Sequence, residues 1–160
     1  MRPLTNHCKR LYAIAWAVWL LDFATKSWAL NTFDSRNPVN VIGEFLQFTL
    51  YKNPGAAFSL AEGFTIILTL IAISVVGVIA YYSAKITSKG WSVVLGFALG
   101  GILGNLTDRI FREPGFFVGH VIDWLQIPNW PVFNLADSAI VVASAIAVIL
   151  SVRNISPMEV

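Results

Sequence analysis

Apolar residues gather along this chain into four long runs, broken by polar segments of two different lengths. A helix rises about 1.5 Å per residue, so roughly 20 apolar residues cross the hydrocarbon core of a bilayer. The first run is Leu11 to Leu30, and the second is Phe64 to Ala84. The third begins at Trp91 and ends near Thr107; its wholly apolar part is short, because Asn105 and Asp108 follow. The fourth is Val132 to Val152, with Asn134 and Asp137 close to its start. The pattern predicts membrane-spanning helices at about 11–30, 64–84, 91–107 and 132–152. Gly96, Gly100, Gly101 and Gly104 in the third run are spaced to let helices approach closely, which is a packing signature.

The two longer polar segments, 31–63 and 108–131, need structure of their own. "VNVIGEFLQFTLYKN" is rich in Val, Phe, Thr and Tyr with partial alternation, and predicts one or two strands. "REPGFFVGHVIDWLQIPNWP" is rich in aromatics, Gly and Pro, and predicts a strand or loop at the membrane interface, where tryptophan is at home. The fold class expected is a mainly α membrane protein: four transmembrane helices with a small exoplasmic β-sheet and loop region. The whole of 1–160 reads as a single integral membrane domain, without internal repeat or low-complexity linker.

Composition turns that pattern into a class. Hydrophobic residues make up 56% and charged residues 12%, with a mean hydropathy of +0.68. Soluble domains carry about 25% charged residues, so a soluble reading would lack polar surface. A net charge of +2 without a basic block argues against nucleic acid. With one cysteine, Cys8, no intrachain disulfide is available. His7 and His120 lie far apart and there is no HExxH, so no metal site is expected. The tail "MRPLTNHCKR" imitates a signal peptide, but the run after it is too long and lacks a small-x-small cleavage site; it reads as an uncleaved first span.

Basic residues orient the chain. Placing both termini and the short 85–90 loop in the cytoplasm puts Arg2, Lys9, Arg10, Lys85, Lys89 and Arg153 inside. Arg36, Lys52, Arg109 and Arg112 then lie outside, which favours N-in and C-in. In that arrangement nine awkward residues fall at the outer membrane face: Asp22, Lys26, Asn53, Asn105, Asp108, Arg109, Asp123, Asn134 and Asp137. Ionisable groups at membrane depth mostly mark function, so their convergence is a candidate site.

Each of these residues also has a bland reading. Asp22 and Lys26, four apart on one helix face, are spaced to pair. Asp108 and Arg109 could anchor a helix end, or Arg109 could be the counter-ion of a buried carboxylate. Asn53 is an ordinary turn residue before Pro-Gly, and Asn134 could simply cap the fourth span. Asp123 and Asp137 are harder to dismiss, being set among apolar neighbours with no basic residue nearby. Two carboxylates held together at low dielectric share a proton and titrate as a coupled pair, which is the arrangement of an aspartic protease. Asn134, one helical turn from Asp137, would then orient a carboxylate or hold substrate backbone. No G-x-S-x-G elbow, P-loop or dinucleotide glycine pattern competes.

"DFATK", "NPGAAFS", "GNLTDR", "GHVIDW" and "FNLADS", in this order from Asp22 to Ser138, resemble lipoprotein signal peptidase, the bacterial type II signal peptidase. The resemblance implies an aspartic endopeptidase of the bacterial inner membrane, with its active site at the outer face. It implies removal of signal peptides from diacylglyceryl-modified prolipoproteins, just before the lipidated cysteine. By motif the catalytic pair falls on Asp123 and Asp137. Asn134 falls beside the pair, Asn53, Asn105, Asp108 and Arg109 around it, and Asp22 on the acidic position of the first span. Globomycin-like cyclic peptides are implied as inhibitors. No cofactor is required, since two carboxylates and water suffice; a monomer in contact with membrane lipid is expected. The chain departs from the family pattern at Phe23, where Gln is frequent, at Trp124, where Phe is usual, and in a longer 109–119 segment expected to reshape the lip of the site.

The rival from another class is a small proton-linked transporter. Such a path needs polar groups through the membrane depth, and the second span is free of charge. A scaffold protein would leave the clustering of carboxylates unexplained and would tolerate Asp137→Asn.

Overall fold

The computed structural model describes residues 4–55 and 63–158. The chain runs α1 (Asn6–Thr32), β1 (Val39–Ile42), β2 (Leu46–Asn53), α2 (Gly63–Ser83), α3 (Lys89–Phe111), β3 (Val121–Gln126) and α4 (Leu135–Val152). Thr5 starts α1 by accepting the Cys8 N–H at 3.1 Å, and Ser88 starts α3 by accepting the Trp91 N–H at 3.4 Å. Positions 56–59 of the "NPGAAFS" motif lie outside the described residues.

Among the described residues, three helices are long and apolar enough to cross a membrane: Thr65–Ser83, Lys89–Phe111 and Leu135–Val152. α1 is longer, at 27 residues or about 40 Å, but carries Lys9, Arg10, Asp22 and Lys26. Its burial is inverted relative to a soluble helix. Asp22 and Lys26 are fully buried, while Trp16, Leu20, Leu21 and Phe23 face outward. The two mid-helix charges are thereby kept inside the bundle, paired with each other.

α3 is the hub of the bundle, packed on α1 along one side and α4 along another. The glycines make both contacts possible. A Cβ on Gly100 would stand 2.7 Å from the Ala15 carbonyl of α1, and one on Gly101 would stand 2.5 Å from the Ala136 carbonyl of α4. The packing reading of these glycines is therefore correct. A core of Leu11, Ala15, Ile79 and Leu99 closes the far end of the bundle, where α1 begins.

The three strands form one antiparallel sheet in the order β1-β2-β3. Both strands expected in 39–53 are present, joined by a turn with Gly43 at φ 52°. A four-ring cluster fixes the sheet to the last turns of α1. Trp28 meets Phe33, Phe48 and Trp124 edge-on, with centroids 4.7, 5.7 and 5.5 Å apart. Such pairs are worth about 0.5–1.5 kcal/mol each beyond the area they bury. The segment 112–131 is only in part a loop, since Val121–Trp124 of β3 is fully buried.

Three boundaries differ from the sequence expectation for physical reasons. α3 continues to Phe111 because Asn105 and Asp108 find buried partners and do not end the helix. α4 starts at Leu135, three residues late, because Phe133 is held in a bridge to Leu125. α1 starts five residues before Leu11, at its Thr5 cap, and ends two residues past Leu30.

Candidate active site

The sheet register and one return of the chain assemble the site. In β2 and β3, Asn53 pairs with Val121 and Tyr51 with Asp123. Side chains alternate along a strand, so Asn53 and Asp123 stand on one face as diagonal neighbours. Asn53 Nδ2 donates to Asp123 Oδ2 at 2.9 Å. Its Oδ1 accepts the Gly55 N–H at 2.8 Å, so the amide cannot turn round. The Asx turn before Pro-Gly, expected as a bland role, is thus what aims the functional one.

After β3 the chain turns, with Asn129 in the left-handed region at φ 59°, and comes back along its own strand. Phe133 donates to the Leu125 carbonyl at 2.9 Å, and its carbonyl accepts from Leu125 at 2.8 Å and Trp124 at 3.0 Å. This return delivers the next residue, Asn134, onto Asp123. Asn134 is the N-cap of α4 and forms a capping box with Asp137. Its Oδ1 accepts the Asp137 N–H at 2.9 Å, and Asp137 Oδ2 accepts the Asn134 N–H at 3.2 Å. Its Nδ2 donates to Asp123 Oδ1 at 2.6 Å and to Asn105 Oδ1 at 3.2 Å. One asparagine therefore caps a helix and touches both aspartates.

The other side is closed by α1 and α3. Asn105 Nδ2 donates to Asp137 Oδ1 at 2.7 Å, and Lys26 Nζ donates to Asn105 Oδ1 at 2.9 Å. Lys26 also forms ion pairs with Asp22 at 2.7 Å and Asp108 at 2.8 Å. Asp22 Oδ1 accepts the Ala136 N–H at 2.9 Å, which ties α1 to the first turn of α4. Asp108 Oδ2 accepts the Ile122 N–H at 3.2 Å, and Arg112 Nε pairs with Asp108 Oδ1. Buried charges are tolerable only when paired in this way.

Every oxygen of Asp123 and Asp137 thus receives one hydrogen bond from a donor of fixed direction. Asp123 is 1% exposed. Burial pushes its carboxyl up to about 7; the nearby Asp137 adds to the push, while the Asn53 and Asn134 amides oppose it. Arg109 is half-buried within electrostatic reach of Asp123, Asp108 and Asp137, and its Nη1 has no hydrogen-bond partner among the described residues. Among those residues no group of His, Cys, Asp and Glu is placed to hold a metal ion.

All the sequence-predicted site residues come together. Asp22, Asn53, Asn105, Asp108, Asp123, Asn134 and Asp137 belong to one hydrogen-bonded network, with Arg109 beside it. The pairing reading of Asp22 with Lys26 and the capping reading of Asn134 are both correct, and both are part of the site. Arg112 was missed, although its i,i+4 spacing from Asp108 is a legible signal. Phe23 lies on the outward face of α1, stacked on Trp19, so its departure from the pattern is remote from the site. Trp124 packs in the aromatic cluster, with its Nε1 buried and without a partner among the described residues. The longer segment folds back on the end of α3. Gly119 donates to the Arg109 carbonyl at 3.0 Å and His120 to the Glu113 carbonyl at 2.9 Å. Pro114, Val118 and His120 then line a cavity of about 230 Å³ with Pro54 and Thr65.

Apolar helices long enough to span a bilayer, with a hydrogen-bonded set of carboxylates and amides gathered at one end, define the class as a membrane protein. Comparison with known proteins narrows the class. Residues 14–153 match the Signal peptidase (SPase) II family, and the chain belongs to it. It is 47% identical over 147 residues to the lipoprotein signal peptidase of Streptomyces coelicolor, covering 92% of this chain and 72% of that protein. It is 44% identical over 144 residues to that of Mycobacterium tuberculosis, covering 90% and 71%. Its fold is similar to two solved structures of a bacterial membrane enzyme obtained by the in meso method. Each has a TM-score of 0.78 and 26% identity; one match covers 88% of this chain and 91% of the other, the second 94% and 93%.

Proposed function

We propose that the chain is an aspartic endopeptidase that removes signal peptides from diacylglyceryl-modified prolipoproteins, cutting just before the lipidated cysteine. Family membership supports signal-peptide cleavage from prolipoproteins. The observation that carries the catalytic type is Asn134, whose amide joins Asp123 to the capped Asp137.

The geometry divides the labour. Asp137 sits in the first turn of α4, its Oδ2 accepting the Asn134 N–H at 3.2 Å, and takes the part of the base. Asp123 sits on a buried strand and keeps a proton up to about pH 7. Asp137 takes a proton from water as the oxygen attacks the scissile carbonyl, and Asp123 gives its proton to that carbonyl oxygen. In the collapse, the proton gained by Asp137 passes to the leaving amine, and the gem-diol returns one to Asp123. Both carboxyls end as they began. Arg109, with an unpartnered Nη1 beside the pair, suits a substrate carbonyl.

α1 completes four spans in this reading, its two mid-helix charges neutralised by Asp108 and each other. The chain acts as one integral domain and as a monomer, in a bacterial cytoplasmic membrane. N-in, C-in topology places the site at the outer face, where a lipid-anchored substrate presents its cleavage bond. Globomycin-like cyclic peptides are the expected inhibitors, and no cofactor is needed. A transporter is disfavoured, because α2 carries no charged residue and the polar groups crowd one end of the bundle. The test is cleavage of a diacylglyceryl-modified prolipoprotein by the purified protein in nanodiscs. Wild type should cut it and leave the unlipidated form intact, while folded Asp123→Asn and Asp137→Asn should each be silent. A wild type that ignores the lipidated substrate sinks the reading.

A further inference from the structure

Lys26 is conspicuous for where its three protons go. An ammonium group has three donors and no acceptor. Two of them meet carboxylates, Asp22 at 2.7 Å and Asp108 at 2.8 Å, which already neutralise the charge. The third points to the side-chain oxygen of Asn105 at 2.9 Å. Neutralising Lys26 did not require this third contact, and it reaches directly to the group that holds Asp137.

We infer that Lys26 is a positioning residue: it fixes which way the Asn105 amide faces, and through that amide it presents Asp137 with a donor. The inference rests on the aspartic reading of the site. The direction of the amide follows from the chemistry of its neighbours. Asn134 cannot turn, because its Oδ1 must accept the Asp137 N–H. Its Nδ2 therefore points at Asn105, as the Lys26 ammonium does. Two donors converge on one atom of Asn105, and only its oxygen can meet them. The Asn105 Nδ2 is then left facing Asp137 Oδ1 at 2.7 Å. A reversed amide would set its NH₂ against two donors and its oxygen against a carboxylate.

Without Lys26, Asn105 keeps one of the two donors that orient it. Its oxygen then turns towards Asp137 for part of the time, and the base loses both a hydrogen bond and its fixed position. Misplacing a catalytic group by about 1 Å slows a reaction on the order of 10²-fold. A merely structural lysine predicts loss of folded protein, with normal turnover by what remains folded.

The experiment measures kcat and KM separately on a lipidated prolipoprotein in nanodiscs, with thermal unfolding of each variant alongside. Lys26→Met should lower kcat about 10²-fold and leave KM within about twofold. Asn105→Ala should do the same. The double variant should be no slower than Asn105→Ala alone, since both act through one amide. Lys26→Met combined with Asp22→Asn balances the buried charge; it should unfold near the wild-type temperature and keep the low kcat. Wild-type kcat in folded Lys26→Met or in the charge-balanced variant overturns the inference, as do losses that multiply in the double variant. Asp123→Asn and Asp137→Asn serve as the controls that separate the two failures. If they retain activity, the aspartic reading falls first; if they are silent while Lys26→Met turns over normally, only the role of Lys26 falls.

Discussion

The two ends of the α1–α3 contact are built from opposite materials. At the far end Leu11, Ala15 and Leu99 pack with Ile79 of α2, a few methyl groups deep. At the sheet end the same two helices bury Asp22, Lys26 and Asp108, with half-buried Asn105 beside them. A glycine of α3 makes each approach possible, Gly100 against Ala15 and Gly104 against the Asp22 carboxylate. The far end sums many small dispersion contacts, so each can be trimmed at its own cost. At the sheet end the Lys26, Asn53, Asn105 and Asn134 donors are each committed to a named acceptor, so removing one member leaves others unmatched. Damage at the far end should therefore be local and thermodynamic, and damage at the sheet end collective and kinetic.

The sharpest way to break this contrast is at Asn134. Asn134→Ala should lower turnover on the order of 10³-fold, as removing a buried catalytic donor does. The lost cap and the buried Asp123 oxygen left without its donor should together destabilise the fold by about 2–4 kcal/mol. Kinetics and thermal unfolding on the same preparation check both numbers. Leu99→Ala is the converse, and should cost about 2–5 kcal/mol of stability as a core truncation. The kcat of its folded fraction should stay within about twofold, because the cavity lies away from the network. A large kcat defect there would erase the distinction between the two ends.

Changing pH tests the sheet end alone. With Asp123 as the acid, turnover should fall about tenfold per pH unit above about 7. The stability effect has a definite sign. The folded pKa is raised above the ordinary 3.8, so the unfolded chain releases this proton first as pH rises. The contribution of Asp123 to stability is intact below about 3.8 and is lost as pH climbs through about 7. Asp123→Asn should flatten that slope in unfolding measured across the same window. The smallest effect is expected at Trp124, whose indole N–H is buried without a partner among the described residues. Trp124→Phe removes the unmatched donor as well as some ring area, and should shift stability by less than about 1.5 kcal/mol. A loss larger than that would mean the indole makes a contact that phenylalanine cannot.

The sequence made the far end legible as a class and the sheet end legible residue by residue. Apolar runs located α2 and α4, because nothing else explains twenty lipid-compatible residues in a row. Charges in the wrong place located the site, because lipid makes them costly. The directions of the hydrogen bonds were not legible. Asn53, Asn105 and Asn134 are turn, helix and cap residues by spacing, and only the packed structure shows which atom of each amide faces which aspartate. The end of α3 was misplaced for a related reason. Asn105 and Asp108 look like a helix boundary until Lys26, 79 residues away from Asn105, is seen to receive them. Arg112 escaped because an i,i+4 pair at a helix end is usually worth little, and its importance depends on Asp108 being buried. The segment 112–131 suited a strand or a loop at the interface, and only the packed structure shows β3 as the strand, buried beside β2.

The doubled duty of Asn134 also has a meaning in time. The amide that lets α4 begin is the one that joins the two aspartates. In the aspartic reading, a growing chain therefore brings its pair together only once α4 takes shape, because Asp123 on its strand alone is half of it.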